Sequence, residues 1–99
     1  MPTREQSLNL TLHVIADPTR RRILDALKTK GTATASKQDG LCASDIEARI
    51  HLSQPTISHH MAILMQAGLV QSKKQGQWRW YRRDEAAIRE FMRMLKQTL

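Results

Sequence analysis

The sequence has only one cysteine and no long apolar run, and both absences narrow its class. Cys42 has no second cysteine in the chain to pair with, which is typical of a protein from a reducing compartment. Apolar runs extend over only a few residues, so we expect neither a membrane-spanning helix nor a secretory signal. The 99 residues, 40% of them hydrophobic, suffice for one domain with a modest core. We therefore predict a single cytoplasmic domain over residues 1–99.

Acidic residues are missing from residues 48–83, although the chain as a whole carries a net charge of +7. Within that acid-free segment lie Arg49, Lys73, Lys74, Arg79, Arg82 and Arg83. Charge of one sign over one contiguous segment indicates a surface that binds phosphates, and hence double-stranded DNA as the partner. A membrane surface is the competing interpretation, but it would require an exposed apolar face beside the charges. We predict no membrane partner.

The sequence also lacks the residue constellations on which catalysis depends. It contains no recognisable Ser/His/Asp set, no paired carboxylates and no glycine-rich phosphate loop. A domain of this size offers no obvious substrate pocket. We therefore predict that the protein is not an enzyme and uses no cofactor.

The stretch HLSQPTISHHMAILMQAGLV, residues 51–70, predicts a helix around which the other elements are organised. Ser53 is a good N-cap, Pro55 is tolerated in the first turn, and Gly68 marks the end. The apolar positions form one buried stripe at helical spacing, namely Ile57, Met61, Leu64 and Met65.

The opposite face of this helix carries side chains that are polar but not acidic: Gln54, Thr56, Ser58 and His59. Glu and Lys would serve a merely solvated face better, because both favour the helix and solubility. Amides, hydroxyls and an imidazole suit a helix pressed against base edges, where they donate and accept hydrogen bonds. An ordinary amphipathic helix with a solvated exterior is the alternative.

Residues 5–16 predict a first helix with more apolar surface than a small core can cover. Its apolar positions form two adjacent faces, with Leu8, Leu12 and Ile15 on one and Leu10 and Val14 on the other. The surplus indicates a dimer contact, although the alternating leucines would also suit a strand. Asp17-Pro18 then predicts the start of a second helix, in which three arginines occupy the first turn. We expect these arginines to be solvated, with Arg20 able to reach a phosphate.

Residues 29–40, rich in Gly, Thr, Ala and Ser, predict a flexible loop. The loop is longer than two packed helices need, and an extra contact arm, an effector lid and tolerated slack all remain open. After it, Ser44 and Glu47 form a capping-box pattern that predicts a short helix. Together with the polar-faced helix, residues 44–67 predict a helix-turn-helix.

Residues 69–83 predict a basic β-hairpin, a wing, with a turn at Gln75-Gly76. We expect the wing to lie along the flanking phosphates or minor groove. The predicted backbone contacts come from the hairpin tip and from two positions before it: Lys73, Lys74, Arg79, Ser53 and Arg20. Trp78 and Trp80 share one side of the returning strand. Packing is the favoured interpretation of these two rings, and base stacking is the alternative.

Asp84 predicts the cap of a last helix whose apolar positions, Ile88, Phe91, Met92 and Leu95, recur at helical spacing. This helix and the first one form the natural dimer pair. A two-fold dimer would present two polar-faced helices to adjacent major grooves, about 34 Å apart.

The predicted fold is mainly α with one small β-hairpin, in the order α-α-α-α-β-β-α, and the chain resembles the ArsR family of bacterial winged-helix repressors. The resemblance rests on IADPTRRRILDAL in the second helix, LSQPTISHHMAILMQAGLV in the polar-faced helix and KQGQWRWYR in the wing. It implies a homodimeric winged helix-turn-helix repressor that binds an inverted-repeat operator. It also implies that Gln54, Ser58 and His59 face the groove.

The sequence departs from this family at its metal sites. Many members sense metal through a Cys-x-Cys pair before the recognition helix, but here Cys42 is followed by Ser44 at the second position. Others use ligands on the last helix, which here contains no histidine. Because one thiolate is a poor start for a soft-metal site, we predict no metal at either place.

Two other functions remain as alternatives to a sequence-specific repressor. A nucleoid-associated protein could coat DNA with little sequence preference, although coating needs charge rather than amides. Cys42 could act as a thiol-redox sensor, although a half-buried cysteine is more often inert. Among the histidines, His59 is a candidate DNA contact, and His60, at the flank of the buried stripe, is expected to be structural.

Overall fold

The computed structural model describes residues 1–28 and 40–99, and within these ranges it contains five helices and three strands. In chain order they are α1 (Arg4–Ile15), α2 (Pro18–Lys28), β1 (Leu41–Cys42), α3 (Ala43–Ile50), α4 (Gln54–Gln66), β2 (Val70–Gln75), β3 (Trp78–Arg83) and α5 (Glu85–Thr98). The predicted fold class is confirmed, with one short strand added before α3. The predicted loop falls outside the described residues, apart from Gly40.

Three helices begin at capping side chains that accept backbone hydrogen bonds. Asp17 Oδ1 accepts from the N–H of Thr19 at 2.8 Å and of Arg20 at 3.2 Å, so the predicted start of α2 is confirmed. Asp84 Oδ1 likewise accepts from the N–H of Ala87 at 3.0 Å, which confirms the cap of α5. A reciprocal box between Thr3 and Gln6 begins α1, which is a helix and not the alternative strand.

The predicted capping box at the start of α3 is wrong. The helix begins at Ala43, and its N-cap is Cys42 instead of Ser44. Asp45 Oδ2 accepts from the Cys42 N–H at 3.3 Å, so Asp45 takes the role predicted for Glu47. The cause is a pairing that no local pattern reveals, because Cys42 is held extended by β3 and α3 can start directly after it.

The sheet has the strand order β1-β3-β2, and all its neighbours are antiparallel. Leu41 lies opposite Tyr81, and Gln75 lies opposite Trp78, which leaves Gly76 and Gln77 as a two-residue turn. Gly40 has φ +85°, and a Cβ there would lie 1.9 Å from the carbonyl oxygen of Tyr81. Only glycine permits this close approach of the chain to β3.

The core lies beneath α4, and the predicted stripe of that helix is confirmed. The fully buried side chains of the core are Ile23, Ile46, Ile57, Met61 and Leu64, and the partly buried Met65 packs against them. Tyr81 of β3 also belongs to the core, with 8% of its surface exposed. The core thus holds α4 against α2, α3 and the base of the hairpin.

Helices α1 and α5, the first and last of the chain, pack side by side. Arg4 Nη2 donates to Gln97 Oε1 at 3.1 Å across this pair. In the part of the chain that the structure describes, no helix has the length and apolar character needed to cross a membrane.

Candidate nucleic-acid interface

The predicted base-contact residues all lie exposed on α4. Gln54, Thr56, Ser58 and His59 are solvent-accessible, while three apolar side chains of the same helix are at most 1% exposed and anchor it to the core. Ala62, one turn after Ser58, is exposed on this surface as well. No sequence pattern marks Ala62, because alanine carries no polar group, yet a small methyl side chain suits contact with the methyl group of thymine.

The start of α4 differs from its prediction in one bond. Ser53 is the N-cap by backbone conformation, but its hydroxyl bonds the Thr56 hydroxyl at 2.9 Å and caps no backbone N–H. No acidic residue lies in the first turn of α4. The positive end of the helix is therefore neutralised by no side chain of that turn, which favours an anion at this position.

A network behind α4 fixes the helix against α1 and α2. Arg20 Nε donates to His60 Nδ1 at 3.2 Å, and Arg20 Nη1 donates to the carbonyl oxygen of Val14 at 3.3 Å. These bonds agree with the structural role predicted for His60. They also give the Arg20 guanidinium partners inside the protein, so its predicted phosphate contact would have to compete with them.

Asp17 completes this network from the start of α2. Desolvation raises the pKa of its carboxyl group, but the hydrogen bonds from the backbone N–H groups of Arg20 and Thr19, together with the nearby charge of Arg20, outweigh that effect. The net result is a pKa below the usual value for aspartate. Asp17 is therefore held as the anion that the cap requires.

The ring of His59 lies edge-on to that of His60, with 5.6 Å between the centroids and 61° between the planes. His60 is fixed from behind by Arg20. His59 is exposed, and its ring rests on this anchored neighbour. This arrangement presents an imidazole that can donate or accept a hydrogen bond without a large loss of side-chain freedom.

The wing presents exposed cations on both of its faces. All of residues 73–79 are exposed, including the predicted contacts Lys73, Lys74 and Arg79. Lys74 lies directly opposite Arg79, and Arg79 Nη1 donates to Ser72 Oγ at 2.8 Å. Like charges placed opposite each other destabilise a hairpin, so this pair indicates a surface suited to an anion.

The six basic residues of the acid-free segment divide into two groups. Arg49 and Arg83 turn inward, where Arg49 Nη1 donates to the carbonyl oxygen of Ala26 at 3.2 Å and Arg83 Nη1 donates to that of Leu24 at 3.3 Å. The other four are exposed on the wing: Lys73, Lys74, Arg79 and Arg82. The predicted phosphate-binding surface therefore contains fewer exposed cations than the sequence indicates, and these four lie on the hairpin.

The two tryptophans of β3 differ in burial. Trp80 is half-buried, in agreement with the packing interpretation. Trp78 at the start of β3 is 52% exposed, so the packing interpretation is wrong for this ring. The hairpin tip extends past the buried residues at its base, and no core lies beneath the tip to cover the ring.

The predicted dimer residues also divide by burial. Leu8 and Phe91 are 7% and 9% exposed, and they are covered within one copy of the chain. Ile15, Ile88 and Leu95 are half-buried. Leu12 and Met92 are 37% and 55% exposed, and the neighbouring Leu10, absent from the predicted contacts, is 50% exposed.

The sequence predicted a half-buried cysteine, but Cys42 is buried, at the end of β1 and as the N-cap of α3. Its Sγ lies 3.1 Å from Asp45 Oδ2 and 3.1 Å from Ser44 Oγ, and the residue is 7% exposed. Within residues 1–28 and 40–99, no three His, Cys, Asp or Glu side chains are grouped as a metal site would require. The expectation of no metal stays a prediction.

Comparisons with known proteins agree with this geometry. A family profile described as bacterial regulatory protein, arsR family, matches residues 17–72. The chain is 34% identical over 83 residues to the transcriptional repressor SdpR of Bacillus subtilis, across 84% of this chain and 82% of that protein. It is 32% identical over 90 residues to an arsenical resistance operon repressor of Staphylococcus aureus, across 91% of this chain and 78% of that one.

Solved structures show the same fold. An ArsR-like transcriptional regulator from Rhodococcus sp. RHA1 matches with a TM-score of 0.73 and 27% identity, over 93% of this chain and 78% of that chain. A homodimeric winged helix-turn-helix DNA-binding domain from Mycobacterium bovis matches with a TM-score of 0.68 over 93% of this chain and 76% of that chain. At 22% identity, the second likeness is evidence for the fold alone.

Proposed function

Because this chain belongs to the arsR family of bacterial regulatory proteins and is a winged helix-turn-helix transcriptional regulator, we propose that it is a repressor that binds an inverted-repeat operator as a homodimer. The observation that carries the proposal is the exposed surface of α4 and the wing, which is polar on the helix, cationic on the hairpin and free of acidic residues. The relative from Bacillus subtilis is itself named a transcriptional repressor.

In this proposal α4 reads sequence in the major groove. Gln54 offers an amide that can bond adenine in a bidentate manner, and Ser58 and His59 can each donate or accept. Their exposure on a helix that buried side chains anchor supports the assignment, since a rigid helix keeps its side chains in register with base edges. Thr56 and Ala62 complete the proposed contact surface.

The wing and the start of α4 hold the phosphate backbone. Lys73, Lys74 and Arg79 supply charge that releases counterions from DNA, and Ser53 lies at the positive end of α4. These contacts orient the protein on the duplex but carry no sequence information of their own. Affinity and specificity therefore come from different residues of one surface.

Homodimerisation through α1 and α5 accounts for apolar side chains that the domain leaves in water. Leu10, Leu12 and Met92 are each more than a third exposed. A two-fold axis beside these helices would set the two copies of α4 about 34 Å apart, which matches successive major grooves on one face of the duplex. The solved relative from Mycobacterium bovis is described as homodimeric.

The repressor is not released by metal through either of the known family sites, since Ser44 stands where a second thiolate would be and α5 contains no histidine. We propose no catalytic activity for the chain, because the family consists of regulatory proteins. Cys42 is not the proposed sensor, because its thiol is buried and bonded to Asp45 and Ser44.

Selection of bound sites from random duplexes tests the proposal, followed by a competition gel shift at physiological salt. A repressor yields an inverted repeat and holds it against random DNA by a factor of about 10³ or more. Equal binding to all duplexes would instead support the low-specificity coating protein. Light scattering of the eluting protein should give twice the chain mass, and a monomer at working concentration would contradict the dimer.

A further inference from the structure

Trp78 differs in exposure from the other three aromatic residues of the chain, all of which lie in its described part. Tyr81 and Phe91 are 8% and 9% exposed and Trp80 is half-buried, whereas Trp78 is 52% exposed. An indole is a large apolar surface that proteins normally bury or use at an interface. A single exposed apolar side chain is common, however, so its position has to carry the argument.

That position is the tip of the wing. Trp78 is the first residue of β3 and directly follows the two-residue turn at Gly76 and Gln77. Every residue from 73 to 79 is exposed, while Val70 and Tyr81 at the base of the hairpin are buried. The ring therefore lies several residues away from the core that could have covered it.

Cations lie on both faces of the hairpin beside Trp78. Trp78 lies opposite Gln75, and Lys73 lies opposite Trp80, so the alternation of side chains puts both indoles and Lys73 on one face of the hairpin. Lys74 and Arg79 form the opposed pair on the other face. Residues 48–83 contain no acid to compete for these charges. Flat aromatic surface among unneutralised cations matches a polymer of phosphates, sugars and bases.

We propose that Trp78 binds DNA directly, with its ring against the sugars and base edges of the groove that the wing reaches. The inference rests on the proposed function, and it adds a contact of a different kind from the neighbouring lysines. Removing an indole from water releases no counterion, so this contact contributes affinity that does not depend on ionic strength. The wing then binds DNA in two ways, through the charge of its lysines and through the apolar surface of Trp78.

Fluorescence of the Trp80→Phe variant, in which Trp78 is the remaining tryptophan, reports on the ring itself. Adding the selected operator should quench the emission or shift it to shorter wavelength, with the same midpoint as the gel shift. Emission that stays unchanged at saturating DNA would overturn the inference. So would a shift on diluting the free protein, since the ring would then belong to the dimer contact. If Trp80→Phe unfolds, the difference between wild type and Trp78→Phe gives the same signal.

Affinity measured over a series of salt concentrations tests the energetic part. Trp78→Ala should weaken binding about tenfold at every salt concentration, leaving the slope of log K against log salt unchanged. Trp78→Phe should retain most of the affinity, and Gln77→Ala in the adjacent turn should bind like wild type. Wild-type affinity of Trp78→Ala would overturn the inference while the repressor proposal stands. Failure of the wild type to bind DNA would instead overturn the proposed function.

Discussion

Helix α4 and the wing follow one another in the chain, yet they are supported in opposite ways. Three residues of α4 are at most 1% exposed, namely Ile57, Met61 and Leu64, so a packed core sets the direction of each outward side chain. The tip of the wing, residues 73–79, is exposed throughout. A rigid polar face suits recognition of base edges at fixed positions, whereas a protruding cationic hairpin suits a uniform backbone. The difference in support therefore matches the difference in task that we propose for the helix and the wing.

The largest effect is expected from removing the support of α4. Leu64→Ala deletes a side chain with 0% exposure and should lower the free energy of unfolding by about 2–5 kcal/mol, because the cavity collapses only in part. Urea denaturation at one fixed protein concentration measures it. Gln66→Ala, two residues on and exposed, is the control and should change stability by less than about 0.5 kcal/mol. Equal losses in both variants would mean that α4 is not anchored as described.

The next effect separates the base of the wing from its tip. Gly40→Ala should destabilise the protein by at least about 1–3 kcal/mol, because φ is +85° and the new Cβ would meet the Tyr81 carbonyl oxygen. Gly76→Asn at the tip is the matched change, since Asn tolerates positive φ and nothing lies near Gly76. Thermal melting should rank Gly76→Asn close to wild type. If Gly40→Ala also melts close to wild type, the base of the wing is no more constrained than its tip, which would contradict the comparison.

Local sequence patterns predicted most of the helix boundaries but not the pairing of β1. The helix boundaries followed from local chemistry, because Asp17 and Asp84 cap helices and the α4 stripe repeats at helical spacing. Strand β1 was missed, since its two residues gain order only by pairing with Tyr81 and Trp80, about 40 positions further along the chain. The same long-range pairing moved the cap of α3 from Ser44 to Cys42.

The candidate site was predictable in composition but not in detail. The polar face of α4 followed from residue type and spacing, so its exposed positions were identified in advance. The sequence did not show which arginines would turn inward, because an arginine that bonds a carbonyl oxygen looks like any other arginine in a sequence. Arg49 and Arg83 turn inward and donate to carbonyl oxygens, while Arg82 is exposed. Exposure of Trp78 likewise depends on where the core ends.

An effect of intermediate size is expected from replacing Arg20, and it tests whether this residue positions α4 or binds a phosphate. Arg20→Ala should destabilise the protein by about 1 kcal/mol through loss of the bonds to His60 and Val14. If Arg20 only positions α4, operator affinity falls while the salt slope stays unchanged. A direct phosphate contact would reduce that slope by about 0.9. Arg89→Ala on α5 removes one exposed charge away from the surface and serves as the control.

The smallest effect is the pH dependence of the α2 cap. Because the pKa of Asp17 is depressed in the folded protein, its contribution to stability is present above the normal pKa of aspartate. That contribution is lost as the pH falls through the lower folded pKa. Asp17→Asn keeps an acceptor but cannot titrate, so its melting temperature should fall less than that of wild type between neutral and acid pH. Parallel curves would show that Asp17 does not contribute.

The most direct test of the central claim compares Gln54→Ala with Lys74→Ala on the selected operator and on a random duplex, each over a range of salt concentrations. Gln54→Ala should lose about 1–3 kcal/mol on the operator and little on random DNA, with an unchanged salt slope. Lys74→Ala should weaken both duplexes alike and reduce the slope by about 0.9. Identical behaviour of the two variants on both duplexes would contradict the division between a helix that reads sequence and a wing that holds the backbone.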